Sequence, residues 1–354
     1  MTSSDYENAT QGAQTSVAQF DDGHQGFVGR IQHALHVTPA LVPLIVLVFA
    51  ICLFGILLGQ RFFSPFALTL ILQQVQIVGV LAAAQTLIIL TAGIDLSVGA
   101  IAVFCTVVMG QFAFRYGIPA PMAVACGLAM GTALGAISGY LVSRVKLPPF
   151  IVTLGMWQIV LAANYLYSAN ETLRSQDIAE RAPFLQFLGT KIQFGGATFT
   201  FGVILMVALV LVLAYALRST AWGRHVYAVG DDPEAAELAG VNVHRTLMSV
   251  YMLAGFICAL AAWVMIGRFS SVSPSASTGV VGNIQAITAV VIGGISLFGG
   301  RGSILGAFFG ALIVGVFELG LRMAGADPQW TFMLIGMLII GAVSIDQWIR
   351  KVTA

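Results

Sequence analysis

The chain has 354 residues, of which 58% are hydrophobic and only 9% charged, with a net charge of +1 and a mean hydropathy of +0.93. A water-soluble globular domain is about a quarter charged, so these values exclude one and indicate an all-α polytopic membrane protein. The balanced charge also excludes a polybasic surface for nucleic acid or anionic lipid.

A hydrocarbon core of roughly 30 Å takes about 20 apolar residues per helix, and the uncharged runs of this chain supply about ten such spans. Residues 1–38 are polar, without the apolar core of a secretory signal, and read as a cytoplasmic tail. Pro39 to Gly59 forms the first span, 66–92 the second, 98–114 the third and 120–142 the fourth. The fifth opens at Pro148-Pro149 and closes near Ser168. A charged island at 171–191 then reads as a loop or interfacial helix outside the bilayer. A sixth span, 199–217, leads into a second island at 218–245, and spans at 246–267, 284–297, 304–323 and 329–345 complete the membrane domain, 39–345, before a short cytoplasmic tail at 346–354.

An even number of spans puts both termini on one side. If that side is the cytoplasm, the inside loops hold nine of the sixteen basic residues, Arg30, Arg144, Lys146, Arg218, Arg224, Arg245, Arg301, Arg350 and Lys351, in the sense of the positive-inside rule. Glycines at 127, 131, 135 and 139, and again at 306 and 310, recur every four residues and mark faces on which helix backbones approach closely. The four cysteines, Cys52, Cys105, Cys126 and Cys258, lie inside apolar runs and behave as small buried residues.

Asp95 stands out in TAGIDLSVGA, 91–100, because an ionised carboxylate at mid-bilayer costs roughly 2.5–3.5 kcal/mol. Gly93 and Gly99 flank it, predicting a broken helix whose following N-terminus Asp95 caps near Leu96-Ser97. VIGGISLFGG, 291–300, echoes the stretch: Gly93, Ile94, Leu96 and Gly99 fall in register on Gly294, Ile295, Leu297 and Gly300, with Ser296 in place of Asp95. The shared feature is glycine-bounded breaking, with Gly299 beside Gly300 in the second copy, and the echo predicts two structural halves. Asp95 is then either a silent cap or part of a gate or solute path, since broken helices in transporters gather at sites and joints.

Amides inside spans are expensive unless they face protein or a wet cavity. Gln73, Gln76, Gln85, Asn164, Asn283 and Gln285 are accordingly candidates for a pathway carrying a polar, uncharged solute, with inter-helix hydrogen bonding the plainer role for any one of them. Gln74, Thr86, Tyr165 and Thr288 belong to the same group. Glu318 and Arg322, four apart on the ninth span, predict a neutralised structural pair.

In YAVGDDPEAAELAGVNVHR, 227–245, Asp231 or Asp232 suits an N-cap, Pro233 the first turn, Glu234 and Glu237 the positive end of the dipole, and Gly240 the stop. A polar helix of about two turns is marginal alone, so it is expected to dock against a partner. No G-x-x-x-x-G-K-[ST] cradle exists in the chain, so ATP chemistry of that kind is not its own. The five histidines show no metal spacing, and no nucleophile–base set is present, so no cofactor, metal or catalytic residue is expected.

LTAGIDLSVGA at 90–100, EAAELAG at 234–240 and GGISLFGGRGSILGA at 293–307 together closely resemble the membrane permease subunit of bacterial ABC sugar importers, the ribose, xylose, arabinose and fructose permease family. The resemblance covers about residues 40–350. It implies a large-importer (type II-like) fold and residence in the inner membrane. It also implies a pore made by two permease copies, a separate ATPase on the cytoplasmic side and a periplasmic sugar-binding protein. Asp232, Pro233, Glu234, Ala235, Ala236 and Gly240 would then form the loop helix that seats in the ATPase, and Gly93, Asp95, Gly99, Gly294, Gly299 and Gly300 the hinges of alternating access. The more distant relatives of that family, the branched-chain amino-acid and nucleoside permeases, are the alternative, with an ion-coupled carrier as a different class.

Overall fold

A computed structural model describes residues 40–353; the predicted tail at 1–38 lies outside the described residues. Thirteen helices are described: α1 (Leu41–Leu58), α2 (Pro65–Leu90), α3 (Val98–Phe114), α4 (Ala120–Ser143), α5 (Pro149–Ser168), α6 (Ser175–Arg181), α7 (Phe201–Ser219), α8 (Ala221–Asp231), α9 (Pro233–Leu238), α10 (Val243–Phe269), α11 (Ala276–Ile292), α12 (Ile304–Met323) and α13 (Pro328–Thr353). Among them seven are long and apolar enough to cross a membrane, while α3, α11 and the apolar part of α13 are shorter. The protein is all-α and polytopic. Large apolar side chains face outward on these helices, with Ile56 and Leu166 each 84% exposed, a distribution that lipid tolerates and water does not.

α10 is the central element, packing on α4, α2 and α3, and α12 joins α2, α11 and α1 around it. Glycines decide how closely these helices approach. A Cβ on Gly131 or Gly135 would collide with the carbonyl of Gly255 or Tyr251 on α10, and one on Gly306 or Gly310 with the carbonyl of Gly293 or Ala289 at the end of α11. The four-residue repeats are therefore packing faces, as their spacing predicts.

Three boundaries differ from the sequence expectation. α11 spans 276–292 rather than 284–297: it opens in the small, weakly apolar run ASTGVVGN and stops at Gly293. Gly279 has to lie there, since the backbone of α11 rests on that of α3 at Gly99. α13 runs on to Thr353, through the segment read as a C-terminal tail. The island at 171–191 holds α6 and a 3₁₀ turn over Pro183–Gly189, and the chain then forms a hairpin, β1 (Lys191–Phe194) with β2 (Ala197–Thr200), paired antiparallel with Lys191 opposite Thr200. Gly195 and Gly196, both at positive φ, make its two-residue turn. The Thr69 hydroxyl of α2 accepts from Thr198 N at 2.8 Å, tying the hairpin to that helix.

Candidate functional site: two broken segments on one elbow

The first break follows α2. Gly93 N donates to Ile88 O at 3.0 Å and Ala92 N to Ile89 O at 2.9 Å, closing the helix with Ala92 in the left-handed region at φ 58°. At the second break, Ile295 N donates to Val290 O at 3.2 Å and the left-handed residue is Gly294, φ 75°. The cap positions are thus Ala92 and Gly294, one residue out of the sequence register that pairs Gly93 with Gly294. Gly93 is needed for space: a Cβ there would press on Ile88 and the Tyr251 hydroxyl.

Register is restored at Asp95 and Ser296. Asp95 Oδ1 accepts from Ser97 N and Ser97 Oγ, both at 2.6 Å, and Ser296 Oγ accepts from Phe298 N at 3.3 Å. Both side chains close the same i to i+2 turn. Asp95 is only 4% exposed, and its carboxylate is met by donors just ahead of α3, which begins at Val98.

Three side chains supply the hydrogen bonds that the irregular backbone of 94–96 lacks. The Gln85 carboxamide of α2, turned so that its NH2 faces Asp95 O at 3.1 Å and its oxygen Asp95 N at 3.3 Å, pairs as a peptide would. Thr153 of α5 donates to Ile94 O at 3.0 Å and accepts from Leu96 N at 3.2 Å. Asn283 of α11 donates to Leu96 O at 3.0 Å. Buried backbone groups without partners cost about as much as a lost hydrogen bond, so α2, α5 and α11 together hold the break open as an ordered element. Gln85 and Asn283, read from sequence as path candidates, have this scaffold role; Thr153 was missed, because a lone threonine near a helix start carries no signal of its own.

Asp95→Ala strands two buried donors at about 1–3 kcal/mol each, and is expected to lower the melting temperature of the purified protein by several degrees. Asp95→Asn keeps a carbonyl acceptor and should retain most of that stability and most transport. Equal loss of transport in both would assign the charge itself a role in gating.

The two breaks meet one another at the elbow. Gly300 N donates to Leu90 O at 3.0 Å, joining the end of α2 to the loop before α12. α8 is wedged against both: a Cβ on Gly230 would strike Leu90 O and Gly300 N, one on Gly299 would strike Gly230 O and Ala92, and one on Gly300 would strike Asp231. The Tyr227 hydroxyl donates to Gly302 O at 2.9 Å, and burial raises this phenol above its ordinary pKa, which keeps its proton in place. α9 follows at once. Asp232 Oδ1 caps it, accepting from Glu234 N at 2.9 Å and Ala235 N at 3.0 Å, and Gly240 ends it at φ 84°. Only Ala236 of α9 is buried; Leu238 is 91% exposed. Among the predicted residues, the structure therefore brings Gly299 and Gly300 against Gly230 and Asp231 at the end of α8, just ahead of the 232–240 loop. Gly230, Tyr227 and Leu238 were not singled out in the sequence, although the glycine of YAVGDD is the visible trace of the close approach.

A second polar group lies higher on α2. Gln74 Nε2 and Gln285 Nε2 donate to Glu318 Oε2 at 3.1 and 3.2 Å, and Arg322 donates to Glu318 Oε1 at 2.9 Å. Gln74 and Gln285 line a cavity of about 260 Å³ with Gly99, Phe269, Ser277 and Thr278. Gln73 is half-buried beside them on α2. Gln76 is buried and accepts from Thr200 Oγ1 at 2.6 Å, while Asn164 is buried and donates to Pro274 O at 3.0 Å, fixing the 270–275 loop. No group of three or more His, Cys, Asp or Glu suited to a metal occurs among the described residues.

Residues 67–343 match the family described as the branched-chain amino acid transport system / permease component. The chain is 64% identical to the fructose import permease of Rhizobium meliloti over 99% of its own length and 97% of that protein's. The chain belongs to the ABC importer permease family. It is also 35% identical to the ribose import permease of Escherichia coli K12, over 82% of this permease and 88% of that one. The galactose/methyl galactoside import permease of Haemophilus influenzae is 29% identical over 83% of this permease and 90% of its own length. No solved structure matches. These relatives are transport permeases.

Proposed function

We propose that this permease carries a monosaccharide, fructose first, across the bacterial inner membrane by alternating access. ATP is hydrolysed in a separate ATPase subunit, a periplasmic binding protein delivers the sugar, and two copies of the permease enclose the path. Both termini and the α8–α9 elbow face the cytoplasm. Asp232, Pro233, Glu234, Ala235, Ala236 and Gly240 form the helix that seats in the ATPase. The hinge set Gly93, Asp95, Gly99, Gly294, Gly299 and Gly300 moves in response.

The observation that carries this reading is the single junction at which α8 touches both broken segments. A displacement of α9 passes to α8 across one residue, Asp232, and from Gly230 directly to Leu90 and Gly300. Gly99, at the far end of the first break, lines the cavity that also holds Gln285. The path therefore borders the segment that moves. Of the path candidates, Gln285 borders this cavity, while Gln76, Gln85, Asn164 and Asn283 fix the segments around it and Gln73 is half-buried next to Gln74 without lining it.

The test is reconstitution. Liposomes with the permease, its ATPase, loaded binding protein and ATP are expected to accumulate fructose, and liposomes with the permease alone to accumulate none. Accumulation by the permease alone on a proton or sodium gradient would make it an ion-coupled carrier. Accumulation of leucine in place of sugar by the full assembly would move it to the branched-chain amino-acid branch.

A further inference from the structure

Glu318 on α12 faces inward, 18% exposed, while Arg322, its ion-pair partner one turn on, is 71% exposed. What the carboxylate does inside the protein is receive Gln74 from α2 and Gln285 from α11 on a single oxygen, Oε2. A carboxamide has a donor pole of two N–H groups and an acceptor pole with two lone pairs. An ionised carboxylate only accepts, so it fixes which pole faces it. Both glutamines are thereby oriented with NH2 on Glu318 and the carbonyl oxygen as the free pole, and both line the 260 Å³ cavity beside the hydroxyls of Ser277 and Thr278.

We infer that Glu318 is a specificity-determining positioning residue: by holding the donor poles of Gln74 and Gln285, it makes the cavity wall an acceptor surface that selects solutes rich in hydroxyl donors. This rests on the proposed transport path. A sugar O–H finds an oriented acceptor at each glutamine, whereas a group that only accepts meets like poles and leaves them unpaired. Sites built to pair a hydroxyl discriminate strongly against analogues that lack it, because the buried partner is stranded. Arg322 neutralises the carboxylate from its other oxygen without taking Oε2, which leaves that oxygen for the two amides.

Glu318→Gln brings its own NH2 group, so the amides at 74 and 285 are no longer held in one sense. Gln285→Met removes one oriented acceptor and leaves the Glu318–Arg322 pair intact. In liposomes with ATPase and saturating binding protein, uptake of fructose is compared with uptake of a deoxyfluoro-fructose in which one hydroxyl donor becomes an acceptor. Each sugar is preloaded on the binding protein, and the same preparation serves every permease. The ratio of the two rates, normalised to wild type, then reports the permease alone. The expected result is that both variants lower the fructose-to-analogue ratio to roughly a tenth of the wild-type value, with fructose uptake falling and analogue uptake holding or rising. Unchanged ratios in both variants would overturn the inference, and so would a wild-type ratio in Gln285→Met if Glu318→Gln fails to co-purify with the ATPase. Absence of fructose uptake by the wild-type assembly is a different outcome, and sinks the transport reading itself.

Discussion

Gly230→Ala is expected to reduce fructose uptake by about a hundred-fold or more, equivalent to ~2.7 kcal/mol of lost coupling, while the permease still inserts and still binds its ATPase. The substitution adds one carbon, but that carbon has nowhere to go. Its nearest neighbours are the Leu90 carbonyl and the Gly300 amide, which are the two atoms of the hydrogen bond joining the breaks. Both belong to backbone, so no rotamer change relieves the contact, and overpacking of this kind costs typically 1–3 kcal/mol. Relief requires α8 to move off the junction or the Leu90–Gly300 bond to part. In either case α9 and the broken segments lose their shared surface. Ala228→Gly, two residues away and so on the other side of the same helix, is the control; it removes a carbon and is expected to leave uptake near wild type. Measuring uptake together with ATPase co-purification separates lost coupling from lost assembly.

Leu238→Asp is expected to weaken ATPase binding by about a hundred-fold, with little change in the stability of the isolated permease. Leu238 is 91% exposed on a six-residue helix that buries only Ala236 of its own. An apolar side chain so exposed at a cap-terminated polar loop gains about 1.5–3 kcal/mol on full burial. An aspartate there forfeits that gain and adds the cost of desolvating a carboxylate. Glu234 and Glu237 flank it, so the new charge is also repelled locally. Co-purification at graded salt reads the loss; undiminished binding by Leu238→Asp would place the ATPase contact elsewhere on the elbow.

Where an element announced itself by its ends, the sequence was enough. α3 and α12 begin and stop at 98–114 and 304–323, as read, the first just after Asp95-Leu96-Ser97; Ser303, which caps α12, was not singled out. The cap at Asp232 and the stop at Gly240 were legible for the same local reason. α11 was misplaced since its first eight residues are small and only weakly apolar; they are so because Gly279 lies against Gly99, a contact between segments far apart in the chain. The hairpin at 191–200 was missed because its Gly195-Gly196 turn sits at the end of a charged island that hides the alternation around it. The amides show the limit most clearly. A glutamine in a span declares that it needs a partner, but only the fold reveals that Gln85 serves the Asp95 backbone and Gln285 the Glu318 carboxylate. Glu318 itself looked complete once paired with Arg322, and its second oxygen could be assigned only after α2 and α11 were in place.

The central claim is that nucleotide-driven movement of α9 reaches both broken segments through the α8 junction. Amide hydrogen exchange on the assembled wild-type transporter, with and without an ATP analogue, tests it most directly. The account predicts that exchange changes together in 91–97 and 296–303, including the Gly300 amide bonded to Leu90, while the 191–200 hairpin stays as it was, and that Gly230→Ala abolishes the response. Unaltered exchange in both segments of a wild-type complex that hydrolyses ATP and imports sugar would contradict it.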